Sequence, residues 1–199
     1  MSEMSVDTSK RRFLVTMSSA VGGVAALGVA SPFVLSMMPS ARAKAAGAPV
    51  EVDLSKVEPG MLLAVEWRGK PVWVVNRTKD MLDMLAKNDE KLTDAASENA
   101  AQQPDYCKNP TRSIKPEYLI VVGICTHLGC SPTFRKEIGP ADLGADWPGG
   151  WFCPCHGSRF DLAARVFNGS PAPTNLVIPP HKYLSETKVL IGEDQGAAA

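Results

Sequence analysis

Two short stretches decide how this chain is read: Cys125-Thr126-His127-Leu128-Gly129-Cys130 and Cys153-Pro154-Cys155-His156-Gly157-Ser158. They hold four of the five cysteines and two of the three histidines in a sequence of 199 residues. Thiolate and imidazole are the side chains that ligate iron and zinc, so this concentration points to a metal site. Cys125 and His127 with Cys153 and His156 offer two thiolates and two imidazoles, a set that also satisfies a tetrahedral zinc. One further cysteine stands in each loop, Cys130 and Cys155, and a four-ligand zinc has no use for either. From the residues alone, a zinc-stabilised binding module with no redox role stands as the alternative.

Both half-motifs resemble the signature of the Rieske [2Fe–2S] family, C-x-H-x-G-C with a second cysteine- and histidine-bearing loop. The resemblance implies that Cys125 and Cys153 hold one iron and that His127 and His156 hold the other. It also implies a Cys130–Cys155 disulfide clamping the two loops together. Within the family the chain resembles the iron–sulfur subunit of quinol–cytochrome c reductase. The likeness runs through a membrane anchor, an Ala-rich linker, both loops, and Gly169-Ser170-Pro171-Ala172-Pro173, which is similar to the family's proline loop over the cluster. A Rieske subunit of another periplasmic oxidoreductase, such as arsenite oxidase, is the second reading.

From this resemblance follow a mainly β fold, a Rieske-type antiparallel domain with a cluster-binding subdomain, and one N-terminal transmembrane helix ahead of it. The implied partners are quinol, a cytochrome b subunit and a c-type cytochrome subunit, in a dimeric complex of the inner membrane. His156 is the implied edge that meets quinol, with His127 beside it, Leu128 at the docking surface and Ser158 donating its hydroxyl to the cluster. The family often carries tyrosine two positions after that serine, where its hydroxyl donates to a ligand sulfur; this chain has Phe160.

Composition agrees with that reading. Lys plus Arg and Asp plus Glu balance at 21 each, which argues against nucleic acid as a partner. Sixteen prolines and sixteen glycines suit a loop-rich β domain. Residues 1–12 form a basic cytoplasmic entry, and Ser9-Lys10-Arg11-Arg12-Phe13-Leu14 resembles a twin-arginine export signal with Lys10 at the first arginine position. A cluster assembled in a reducing cytoplasm must cross already folded, which is what such a signal serves. No residue from Phe13 to Ala41 is charged, a 29-residue run that exceeds the roughly 20 needed to cross a bilayer. The expected anchor is 13–38, uncleaved despite the A-x-A form of Ala41-Arg42-Ala43. Ser18, Gly22, Ala26 and Ala30 make a small-residue ridge along it.

Residues 39–49, Ala-rich and without apolar periodicity, read as a flexible hinge. The periplasmic domain is expected over 50–199, with its cluster-binding part at 123–176. Val50–Leu54 alternates strictly, and Met61–Trp67 with Val72–Val75 flank a hairpin turn at Arg68-Gly69. Lys79–Ala86 reads as a short helix and Tyr118–Ile124 as the strand that delivers Cys125. Leu92–Arg112 reads as a polar surface excursion that leaves Cys107 a free thiol. Trp147 and Trp151 read as packing anchors, Lys188–Ile191 as a closing strand, His181 as an ordinary surface or strand residue, and the tail from Gly192 as frayed.

Overall fold

A computed structural model describes residues 7–194 of the chain. Residues 1–6 of the basic entry and 195–199 of the tail expected to fray lie outside the described residues. The chain divides into two compact units, one running to Ala45 and the other starting at Ala46.

The first unit is built on helix α1 (Thr8–Ser36). It starts ahead of the apolar run because Asp7 caps it, accepting from the backbone N–H groups of Ser9 and Lys10 at 3.1 and 3.2 Å. At 29 residues it extends about 43 Å, longer than the ~30 Å of a hydrocarbon core. Val21, Val24, Leu27 and Phe33 are exposed along it, so its apolar surface is satisfied by lipid or by another protein. The hinge stretch is not plain coil: it contains α2 (Ala41–Ala46). Ser40 caps that turn, its Oγ accepting from Ala43 N–H at 3.1 Å, and the alanines that follow are the strongest helix formers.

The second unit holds three small antiparallel sheets. The first is ordered β1 (Val50–Asp53), β9 (Lys188–Ile191), β8 (His181–Tyr183). The second is β2 (Leu62–Trp67), β3 (Lys70–Asn76), β4 (Tyr118–Val122), with Trp67 paired to Lys70 across the two-residue turn. The third is β5 (Thr133–Arg135), β6 (Gly150–Phe152), β7 (Arg159–Phe160). The short helix α3 (Lys79–Asp83) follows β3, capped by Thr78.

The strands β3 and β4 explain the layering. Val72, Val74, Ile120 and Val122 face a core shared with Val52, Leu54, Val189 and Ile191 of the first sheet. Trp73, Val75, Leu119 and Val121 face the opposite core, shared with Trp151, Cys125, Cys153 and Phe160. A strand buried on both sides needs an unbroken apolar run, which is what Val72–Val75 and Leu119–Val122 supply. This central sheet therefore separates a structural base from the half of the domain that carries the two loops.

Candidate metal centre

Each loop closes on itself in the same way. The Cys125 N–H donates to Cys130 O at 2.7 Å and the Gly129 N–H to Cys125 O at 3.0 Å. In the second loop Cys153 N–H donates to Ser158 O at 2.8 Å and Gly157 N–H to Cys153 O at 2.9 Å. Gly129 and Gly157 turn these frames at φ of +85° and +79°, a conformation glycine adopts without a Cβ penalty. Cys125 and Cys153 thus occupy equivalent places, while the histidine sits third in one loop and fourth in the other.

β4 delivers the first loop through Gly123, where a Cβ would fall inside the Trp73 indole. β6 delivers the second, and Trp151 on it stacks on Trp73 with centroids 5.9 Å apart and planes 2° from parallel. The two loops are joined by a Cys130–Cys155 disulfide across a sequence separation of 25. Cys125 and Cys153 are each 2% exposed. Burial pushes the Cys153 thiol up, and the neighbouring Cys125 thiol adds to the effect. The rings of His127 and His156 meet edge to face, centroids 4.7 Å apart. His156 is exposed and His127 half-buried, with its Nδ1 buried and without a partner among the described residues.

A third segment, 169–174, is fastened to both loops. The Thr126 hydroxyl donates to Thr174 O at 2.7 Å, and Ala172 N–H donates to Ser158 Oγ at 3.1 Å. Ser158 is fully buried and, as an acceptor there, keeps its own hydroxyl hydrogen available. Leu128 stands 71% exposed beside His127. The Sγ atoms of Cys130, Cys153 and Cys155 also lie within 4.8 Å of one another, but two of them form the disulfide, so this trio is no ligand set.

Sequence reading missed how the second loop is braced from behind. Three buried arginines hold the turn that follows it. Arg77 donates to Leu162 O, and Arg112 to Ala164 O and Leu176 O, at 2.9 to 3.0 Å. Arg165 pairs with buried Asp161 and donates to Leu85 O at 2.9 Å. Burial pushes the Arg77 and Arg112 guanidinium groups down to about 10, and both stay charged at neutral pH. The stretch 92–112 is the irregular surface excursion expected for most of its length, but it is pinned into the interior at intervals. Ser97, Gln103, Cys107 and Arg112 of that stretch are buried; Gln103 Nε2 donates to Ser97 O and Asn99 O, and Arg112 reaches the carbonyls of Ala164 and Leu176 inside. Cys107 is a free thiol as expected, and burial pushes it up to about 12. His181 is buried on β8 rather than at the surface, its Nδ1 against Pro179 O at 2.9 Å.

Residues 49–180 match the family described as "Rieske [2Fe-2S] domain", and residues 1–40 match "Ubiquitinol-cytochrome C reductase Fe-S subunit TAT signal". The iron–sulfur subunit of ubiquinol–cytochrome c reductase from Allochromatium vinosum is 67% identical over 198 residues, covering 100% of this chain and 95% of the relative. The chain belongs to the Rieske family of ubiquinol–cytochrome c reductase iron–sulfur subunits. The corresponding subunit from Blastochloris viridis is 40% identical and covers 94% of each chain. Among solved structures, a chain of "Hyperthermophilic respiratory Complex III" is 27% identical, covers 88% of this chain and 98% of its own, and has a TM-score of 0.48.

The cofactor of this Rieske chain is therefore a [2Fe–2S] cluster, and the chain is a subunit of an oxidoreductase complex. The zinc alternative falls with this result, and the identity to quinol–cytochrome c reductase subunits favours them over arsenite oxidase. The buried, unpartnered Nδ1 of His127 fits such a group, since a buried imidazole nitrogen lacking a partner is destabilising unless something binds it. The export signal and the apolar helix α1 mark a membrane-anchored chain.

Proposed function

We propose that Cys125 and Cys153 ligate one iron of the cluster and His127 and His156 the other. The site then takes one electron, coupled to a proton, from quinol near a cytochrome b subunit and passes it to a c-type cytochrome subunit. The observation that carries this reading is the pair of histidine rings, one orphaned at Nδ1 inside, the other open to solvent. When bound, a Rieske cluster supplies one-electron chemistry at about −150 to +300 mV, because imidazole replaces two thiolates.

The chain's own residues do the rest. Cys125 and Cys153 hold their sulfurs away from water, and segment 169–174 covers the site from one side. The exposed ring of His156 is the group that accepts a hydrogen bond from the quinol hydroxyl and holds its proton. Exposed Leu128 packs at the docking surface and shields the cluster. The buried Ser158 hydroxyl donates toward the cluster. Disulfides persist in oxidising compartments, and the Cys130–Cys155 bond together with the twin-arginine signal supports a periplasmic domain on an inner-membrane anchor. A dimeric complex is the assembly we infer.

The test is a redox titration of the purified complex, with electron paramagnetic resonance of the cluster and haem spectra recorded together. His156→Ala is expected to lose the signal while the b- and c-type haems remain; an unaltered signal would remove His156 from the ligand set. The segment 39–49 acts as the hinge on which the domain travels. Two adjacent prolines at Ala45 and Ala46 should break α2, restrict φ and slow turnover with the cluster spectrum intact. Equal turnover would make the segment a passive spacer.

Phe160 is fully buried against Trp151, where the family's tyrosine hydroxyl is missing. Hydrogen bonds to charged groups are worth about 1.5–3 kcal/mol, of which the difference between redox states is ~0.5–1.5 kcal/mol. Phe160→Tyr is expected to raise the midpoint by roughly 20–65 mV at fixed pH. A shift of zero or downward, with the cluster retained, shows that this position does not set the potential.

A further inference from the structure

Beside the cluster loops lies a cleft of about 370 Å³ that the chemistry above does not use, lined by Lys91, Asp146, Trp147, Pro148, Arg159, Phe167 and Asn168. Its floor is aromatic, with Trp147 and Phe167 centroids 6.4 Å apart. Its rim carries two exposed cations from distant parts of the chain, Lys91 and Arg159. Neither forms an ion pair among the described residues; the Arg159 guanidinium stands 6.0 Å from the Trp147 ring centroid. Asn168 N–H donates to Lys91 O at 2.8 Å, which fixes the Lys91 backbone at the cleft edge.

The position is informative. Arg159 directly follows Ser158, and its backbone N–H donates to Ser170 Oγ at 3.1 Å, within the segment that covers the site. A group seated on Arg159 is therefore held a few residues from exposed His156. We propose that this cleft is an electrostatic docking point for a carboxylate side chain on the protein that accepts the electron, and this rests on the function proposed above.

Three features favour that occupant. Arg159 presents a planar donor fork that matches a carboxylate, and its guanidinium lies within cation–π reach of the Trp147 ring, 6.0 Å from the centroid. Asp146 at the mouth leaves the cleft with a single net positive charge, which suits one carboxylate and disfavours a doubly charged phosphate. Electron-transfer encounters bury small interfaces and depend on charge for orientation and rate.

The experiment uses the assembled complex with Arg159→Gln, Lys91→Gln and the double variant, reading quinol-driven reduction of the c-type haem against ionic strength. The double variant is expected to be about three- to tenfold slower at low salt and to converge with the unmodified complex at high salt. Lys91→Arg should keep the rate. Equal rates and equal salt dependence overturn the proposal. If Arg159→Gln shifts the cluster midpoint, Lys91→Gln on its separate segment decides: an unchanged rate there overturns it. Lost binding to vesicles containing anionic phospholipid, with haem reduction unaltered, also overturns it and makes the cleft a membrane contact. An unmodified complex with no cluster signal or no quinol-driven reduction fails the underlying function instead, and this inference with it.

Discussion

Cys155→Ala is expected to leave the protein folded but largely without its cluster. Cys155 is exposed, so its removal costs little packing; what is lost is the bond to Cys130. Closing a loop of that 25-residue separation is worth about 3–4 kcal/mol in chain entropy. For a domain of this size the loss should lower Tm by roughly 6–16 °C. The larger consequence is local. Each loop has its own internal hydrogen bonds, and the β5–β6 pairing of Thr133 with Phe152 and the segment 169–174 tie their bases, but the disulfide is the covalent bond between their tips. Two histidines from different loops must meet one metal, and a loosened pair cannot hold that distance. Iron content, the resonance signal and thermal unfolding of the variant together check this. Full occupancy with an unchanged Tm would mean that the cluster itself joins the loops.

Gly150→Ala is the second large effect. At Gly150 φ is +150°, and an added Cβ would overlap the Phe160 carbonyl oxygen and stand 3.0 Å from Asp161 Cα. Neither contact is the yielding end of a side chain; both are backbone in the turn braced by Asp161 and Arg165. Overpacking and backbone strain together are expected to cost about 3–5 kcal/mol. The displacement would pass along β6 to Cys153, three residues on. Gly144→Ala is the control, since φ there is +91° with nothing within 4 Å of the added atom. That variant should lose only the ~1–2 kcal/mol of positive-φ strain. Equal losses in the two variants, measured by denaturant unfolding, would show that the overlap at Gly150 relaxes freely.

The cluster loops were legible because their chemistry is local: cysteine, histidine and glycine lie within six positions of each other in each loop. The base strands were legible because burial on one or both faces leaves alternation or an unbroken apolar run. The short strands β5 and β7 were not, since two or three residues carry no period. Arg77 and Arg112 were hidden for a different reason. A buried arginine that serves backbone carbonyls looks, in sequence, like any solvated one, and its partners at 162–164 are main-chain atoms with no signature at all. The strand position of His181 was foreseen but its burial was not, its ring held by a proline carbonyl two residues back. Helix α1 ran past the apolar limits because Asp7 extended it, a cap visible only once the helix is known to start there.

In the first sheet, the opening strand of the domain pairs with its closing one, Val50 opposite Ile191. That sheet cannot form until synthesis has run about 140 residues beyond β1, roughly 7–28 s at 5–20 residues per second. The export signal at the front leaves the ribosome before any of this. For that interval the address is readable while the protein it labels is unfinished. Delivery of an intact cluster domain therefore depends on timing: the transport machinery must engage more slowly than the ribosome reaches β9, or the signal must be kept covered until it does.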